Sequence, residues 1–275
     1  KPVNIGGVII SNATLHNFDE IEKKDIRIGF NVEIQRAGDV IPQVLRVVKK
    51  NTNSKLILPP QNCPSCKNPT VKDKGEAVLR CINFYKCEAQ IIGQLIHFVG
   101  KKSLNIDGFG EKQIKQFYNL KMIKRIDDIF SIEKYKNKII KLEGWGEQSF
   151  INLIKSINQS KNIDLNKFIF SLGIRHVGET ISKILAKEFL SVKNFIRNSS
   201  NQERISLIDG LGPKAINSVI SFFSYKENSK TVSKLIEILK IKDFKRPKND
   251  SLFSNKNLVF TGTLKQLSRD EAKYL

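Results

Sequence analysis

The sequence predicts a multidomain protein: a small β-barrel or sheet, a four-cysteine finger, an all-α domain of repeated glycine hairpins, and the opening of an α/β segment. Three observations carry this expectation. The four cysteines Cys63, Cys66, Cys81 and Cys87 fall in one short stretch. A glycine-centred motif recurs in "IDGFGEKQI", "LEGWGEQSF", "RHVGETISKIL" and "IDGLGPKAI". Patterning also shifts from short alternating runs near the start to helix-like runs after about Ile91. At 275 residues the chain has room for two or three domains.

The first 55 residues hold short β-like runs at Val8–Ile10, Asn31–Gln35 and Val44–Val48, punctuated by Gly29 and Gly38. After "KKNTNSK" and the "LPPQN" turn comes the cysteine stretch, taken as residues 56–92. Residues 93–245 follow as the helical domain. The basic segment "IKDFKRPKND", residues 241–250, contains Pro247 and reads as a linker. Within residues 251–275, "KNLVFTGTL" reads as strand and turn, and then Ser268 and Glu271 have the spacing of a capping box. Lys1 is not an initiator methionine and the last residues look like a helix in progress, so both ends read as cuts.

Two residues separate Cys63 from Cys66, 14 separate Cys66 from Cys81, and five separate Cys81 from Cys87. A C-x2-C turn brings two sulfurs onto one ion, and four thiolates fill the tetrahedral shell of Zn²⁺. Such a closed shell organises a fold and does no catalysis. Two disulfides are the rival reading, which suits a secreted chain and not this one.

The second glycines of the repeats are Gly110, Gly146, Gly178 and Gly212, spaced by 36, 32 and 34 residues. A period in that range marks repeated supersecondary units. In "DGFG", "EGWG" and "DGLG" two glycines flank Phe109, Trp145 or Leu211, which are expected to be buried between two helices. The second glycine then lets a partner approach the amides at the start of the next helix, where a phosphate is the natural ligand. Contacts of that kind read the sugar-phosphate backbone and no bases. Lys112 and Lys214 stand just inside two of these helices and add charge. His176, in the turn of the third repeat, is expected to be a turn or phosphate-adjacent residue, since no nucleophile or orienting partner accompanies it. His16 and His97 are expected to be structural.

Lys and Arg number 47 against 27 Asp and Glu, a formal charge of +20. That excess suits a polyanionic partner. Its plain rival is compositional bias that spreads lysines over every exposed face. No run approaches the roughly 18 apolar residues of a membrane span, and the start is not a signal peptide. A cytoplasmic protein without membrane partners is therefore expected.

The module order, together with "ATLHN", "RAGDVIP", "LGIRHVGE" and "LVFTGTL", resembles bacterial NAD⁺-dependent DNA ligase over nearly the whole chain. The resemblance implies an OB-fold over 1–55, truncated at its N-terminus, a four-cysteine zinc finger over 56–92, a helix-hairpin-helix domain of four repeats over 93–245, and the beginning of a BRCT domain over 251–275. It implies a DNA-encircling portion of an enzyme that seals nicks, with NAD⁺ and Mg²⁺ used through domains outside this sequence. No K-x-D-G adenylation motif occurs here, so no catalytic residue is assigned and the chain is expected not to ligate alone. Its expected partner is duplex DNA, preferably nicked and without sequence specificity, gripped by a monomer at the nucleoid. The expected DNA contacts are Arg36 and Asp39 in the OB-fold. In the repeats they are Gly108, Gly110, Lys112, Gly144, Gly146, Arg175, His176, Gly178, Gly210, Gly212 and Lys214. A stand-alone, non-catalytic repair scaffold built from the same repeats is the alternative.

Overall fold

A computed structural model describes residues 2–5, 7–37 and 41–245. The chain divides into two compact units, Lys1–Ile91 and Ile92–Leu275. Residues 251–275 lie outside the described residues, and with them the expected BRCT strand and the Ser268/Glu271 capping box.

The first unit opens with β1 (Val3–Ile5) paired antiparallel to β2 (Val8–Ile10). The "ATLHN" segment then does three local jobs. Thr14 joins the sheet edge, its N–H donating to Pro42 O at 2.9 Å and its carbonyl accepting from Val44 N–H at 3.1 Å. His16 takes a left-handed conformation, φ 61°, with Nε2 2.8 Å from Gln43 Oε1. Asn17 caps α1 (Phe18–Lys23) by accepting the Glu20 N–H at 2.9 Å.

Next come β3 (Arg27–Ile28), β4 (Asn31–Ala37), β5 (Ile41–Lys49) and β6 (Lys55–Leu56). β4 and β5 form an antiparallel hairpin whose register shifts between Asn31 and Val32 and again between Glu33 and Ile34. The shifts leave Leu45 and Val48 as extra residues on β5. Val44 and Val47, three apart, therefore share the face that packs with Ile21, Ile26, Leu15 and Phe18. Leu45 and Val48 are exposed.

The expected barrel is not closed. Among the described residues every strand pairs with a single neighbour. Ile21 and Phe18 of α1 and Ala13 and Leu15 of the preceding segment complete the small core with Val32, Val44 and Val47, where a ring of strands was expected. Two short strands, β7 (Thr70–Lys72) and β8 (Leu79–Cys81), pair antiparallel within the cysteine stretch.

After α1, the long helical stretch begins with α2 (Glu88–Val99), earlier than Ile91, because the Cys87 carbonyl accepts the N–H groups of Gln90 and Ile91. The second unit continues through α3 (Glu111–Asn119), a 3-10 stretch over Ile126–Tyr135, α4 (Lys136–Ile139), α5 (Glu147–Ser160) and β9 (Asn162–Asp164). Then follow α6 (Leu165–Ser171), α7 (Glu179–Phe189), α8 (Val192–Asn198), α9 (Gln202–Ser206), α10 (Pro213–Ser224), α11 (Lys226–Ile238) and β10 (Lys240–Lys242).

Helical spacing explains the burial. In α7 the buried face is Ser182, Leu185, Ala186 and Phe189, and in α5 it is Phe150, Leu153, Ile157 and Ser160. Phe98, Phe109, Phe117, Phe168 and Phe195 form the aromatic body of this core. The expected linker is corrected at its start. Lys240–Lys242 pairs in parallel with Asn162–Asp164, Ile241 opposite the buried Ile163, and the Phe244 N–H donates to Leu190 O at 2.7 Å. A three-residue strand is too short to leave a periodic signature beside a long helix.

Candidate metal centre and phosphate-facing turns

The four cysteine sulfurs lie within 4.8 Å of one another. Cys63 and Cys87 sulfurs are 3.8 Å apart, and those of Cys66 and Cys81 are 3.4 Å apart. Zn–S bonds of about 2.3 Å in a tetrahedron require sulfur separations of about 3.8 Å, so the cluster fits one Zn²⁺. A disulfide of about 2.05 Å is excluded by the same separations, and all four cysteines are free.

Local backbone builds the cluster. Lys67, at φ 60°, turns the chain so that its N–H reaches Cys63 O at 2.9 Å and the Asn68 carbonyl accepts the Cys63 N–H at 2.7 Å. The Asn83 N–H points at Cys81 Sγ at 3.4 Å. Such amides favour thiolates. The Asn68 N–H leads in pulling the Cys66 thiol down to about 6, and the amides of Cys66 and Ser65 lower Cys63. Although the Asn83 N–H opposes it, burial together with Cys66 and Cys63 pushes Cys81 up to about 12. Converging thiolates repel, and a dication relieves that repulsion.

The four glycine turns share one hydrogen-bond plan. The N–H groups of Phe109, Trp145, Val177 and Leu211 donate to the carbonyls of Ile106, Leu142, Ile174 and Ile208 at 3.3, 3.0, 3.0 and 3.3 Å. The third residue of each turn is left-handed: Gly108 at φ 77°, Gly144 at 78°, Gly210 at 83° and His176 at 60°. This is the requirement of a type II turn, which glycine meets without strain. His176 thus occupies a backbone slot that the other repeats fill with glycine. Phe109 and Val177 are buried, whereas Trp145 and Leu211 are half-buried.

The second glycines differ in kind. Gly110, Gly146, Gly178 and Gly212 are the N-caps of α3, α5, α7 and α10, all in extended conformations. Their carbonyls accept the first helical bonds, from Ile114, Phe150, Ser182 and Ile216, at 3.0, 3.1, 2.9 and 3.2 Å. An extended φ does not demand glycine. A Cβ at Gly146, Gly178 or Gly212 would meet nothing within 4 Å, and at Gly110 only Gln113 Oε1 at 3.5 Å. Among the described residues nothing accounts for these four glycines.

The turns are docked in two pairs. The Asp107 N–H beside the first turn donates to Ser156 Oγ of α5 at 2.7 Å, and the Trp145 indole N–H donates to Gln116 Oε1 of α3 at 3.0 Å. Gly210 lies against α7, where an added Cβ would come 2.9 Å from Ile184 Cδ1. Lys112 and Lys214 are exposed second residues of α3 and α10, and Arg175 is half-buried in the third turn. Arg36 lies in β4 opposite Pro42 in the first unit, and Asp39 lies outside the described residues. His97 Nε2 is 2.8 Å from Phe170 O and its ring packs on Phe170, a structural arrangement.

Sequence reasoning passed over the first-turn glutamates Glu111, Glu147 and Glu179. They directly follow the second glycine in three repeats, which was the available signal.

Residues 1–56 match the model of the NAD-dependent DNA ligase OB-fold domain, and residues 62–89 that of the NAD-dependent DNA ligase C4 zinc finger domain. Residues 167–232 match a helix-hairpin-helix motif. Among similar proteins, a DNA ligase of Pelagibacter ubique (strain HTCC1062) is 48% identical over 286 aligned residues, covering 100% of this chain and 42% of that protein. A DNA ligase of Orientia tsutsugamushi (strain Ikeda) is 43% identical over 99% of this chain and 41% of its own length. That of Wolbachia pipientis subsp. Culex pipiens (strain wPip) is 45% identical over 99% and 42%. The chain therefore spans about two-fifths of the length of these relatives. In sequence and in domain order it is similar to the part of NAD-dependent DNA ligase that carries the OB-fold, the C4 zinc finger and the helix-hairpin-helix repeats.

Proposed function

We propose that the chain is the DNA-gripping portion of an NAD⁺-dependent DNA ligase. It binds duplex DNA, preferably nicked, through the sugar-phosphate backbone and without sequence preference. The observation that carries this reading is the set of N-cap glycines whose backbone does not require glycine and whose Cβ positions are open. A phosphate can approach the helix-start amides closely there, with the helix dipole favouring it. Gly108, Gly144, His176 and Gly210 set the turn that aims those amides, and Lys112, Lys214 and Arg175 add charge beside them. Arg36 and Asp39 contribute contacts from the OB-type unit. The four-cysteine site holds a structural Zn²⁺.

In this reading the chain acts as a monomer in the cytoplasm, at the nucleoid, and NAD⁺ and Mg²⁺ are used by parts of the whole enzyme that this sequence does not include. The chain alone forms no covalent AMP adduct with NAD⁺, since it has no K-x-D-G lysine. Labelled AMP on this polypeptide would overturn that statement.

Anisotropy titrations of nicked and intact duplex at two salt concentrations test the grip. Wild type should bind with steep salt dependence, because its contacts release counter-ions from phosphates. Gly110→Asp or Gly212→Asp should each cost about 1–3 kcal/mol of binding, the range for a charge-assisted hydrogen bond. Binding indifferent to salt, or equal for wild type and both variants, would make these turns purely structural.

A further inference from the structure

Three of the hairpins carry a carboxylate where an anion-binding turn should least tolerate one. Glu111, Glu147 and Glu179 are the first residues of α3, α5 and α7, directly after the N-cap glycine. The fourth hairpin has Pro213 there, followed by Lys214. Each glutamate is held by a lysine that arrives by a different route. Lys115, one turn along α3, lies 2.6 Å from Glu111. Lys136, the first residue of α4, lies 3.5 Å from Glu147. Lys102, which precedes the first hairpin, lies 2.6 Å from Glu179 in the third. An acid in a first helical turn is already favoured by the dipole and needs no counter-ion. Three unrelated lysines converging on one structural position therefore ask for another reason.

We infer that Glu111, Glu147 and Glu179 are built-in competitors for the phosphates of their own hairpins. In the free protein each carboxylate stands at the helix start and keeps its lysine beside the turn. When a phosphodiester arrives, the lysine passes to it and the carboxylate moves into water. All six side chains are well exposed, so the pairs open at little cost. This role rests on the phosphate reading above and deepens it: hairpins one to three carry the competing carboxylate at the first helical position, where the fourth has Pro213. A grip screened in this way stays weak at each turn and needs several turns engaged together, which suits a protein that must move along DNA and let go. Lys102 holds the Glu179 carboxyl below its usual range, so the competitor stays charged at ordinary pH and only mutation removes it.

The experiment compares Glu179→Gln, Glu111→Gln and Lys102→Gln with wild type in nicked-duplex titrations at low and high salt, alongside thermal unfolding. Both glutamine-for-glutamate variants should bind about three- to tenfold more tightly at low salt, the effect expected of removing one repelling charge a few ångströms from a phosphate in water. That gain should shrink at high salt, and Lys102→Gln should bind more weakly. Glu111→Gln guards against a folding artefact, because Lys115 lies on the same helix and no long-range tie is lost. Unchanged or weaker binding by both variants, with thermal unfolding as in wild type, overturns the competitor role. Weakening by both Glu179→Gln and Lys102→Gln would show instead that the pair only ties two hairpins together. If Gly110→Asp and Gly212→Asp bind as wild type, the phosphate reading itself fails. If those two weaken while the glutamate variants do not tighten, only the competitor role falls.

Discussion

His176 is the residue whose chemistry most invites a catalytic reading, and its backbone explains it better. It sits at φ 60° in the slot held at φ 77° to 83° by Gly108, Gly144 and Gly210. Histidine tolerates this region better than most side chains, whereas β-branched residues do not. His176→Gly should therefore keep the turn's backbone conformation, and His176→Val should be the less stable of the two by about 1 kcal/mol from left-handed strain. Urea midpoints for the two variants check this. If His176→Gly instead abolished DNA binding at full stability, the ring itself would be a contact. The recurrence of the glycines was legible in the sequence because spacing survives in one dimension. Their division into a class that sets the turn and a class that leaves an opening was not, because both read as G-x-G until φ and the space around each Cβ are known.

At the scale of the element, the 3-10 stretch Ile126–Tyr135 is tied to α11 by a buried carboxylate. Arg125 donates to both oxygens of Asp127, at 3.0 and 2.8 Å, and Lys234 of α11 approaches at 3.2 Å. Burial opposes charge on Asp127, yet Arg125 and then Lys234 hold its carboxyl below the ordinary range. A folded-state value lower than the unfolded one means that this stabilisation is fully present above the unfolded pKa of about 3.9 and is lost as pH falls through the folded value. Asp127→Asn should lower stability by about 1–3 kcal/mol at neutral pH, the cost of hydrogen bonds left with a poorer acceptor. The difference from wild type should narrow in acid below about pH 4. Denaturation at pH 7 and pH 3 measures both, and a deficit that stays constant with pH would remove the ion pair from the explanation. The ends of this tie are 107 residues apart, so no local pattern announces it. The β9–β10 pairing was hidden in the same way, since Asn162–Asp164 and Lys240–Lys242 acquire meaning only as partners. The open arrangement of β1 to β6 was likewise invisible, because the bulges at Leu45 and Val48 depend on what β5 packs against. The cysteine cluster was legible because its ligands come from two tight turns close in sequence.

For the molecule as a whole, the metal and the helical core should fail separately. The finger has almost no apolar interior of its own beyond the cysteines, with Cys66 alone packed against Cys63, Cys81 and Cys87. Its exposed neighbours include Val78, Ile82, Phe84 and Tyr85. Metal binding must therefore supply most of its folding free energy. The helical unit needs no such help, since Phe98, Phe109, Phe117, Phe168 and Phe195 are fully buried within it. Chelation, or Cys81→Ser, should open residues near 63–87 to protease and fray the start of α2, whose first bonds are accepted by Cys87. Most far-UV helical signal should remain, with a separate thermal transition. Metal analysis of the reduced protein should give one zinc per chain, falling on substitution of Cys81. Loss of helical signal in step with zinc release would show that the helices depend on the ion, and that their aromatic core does not stand alone.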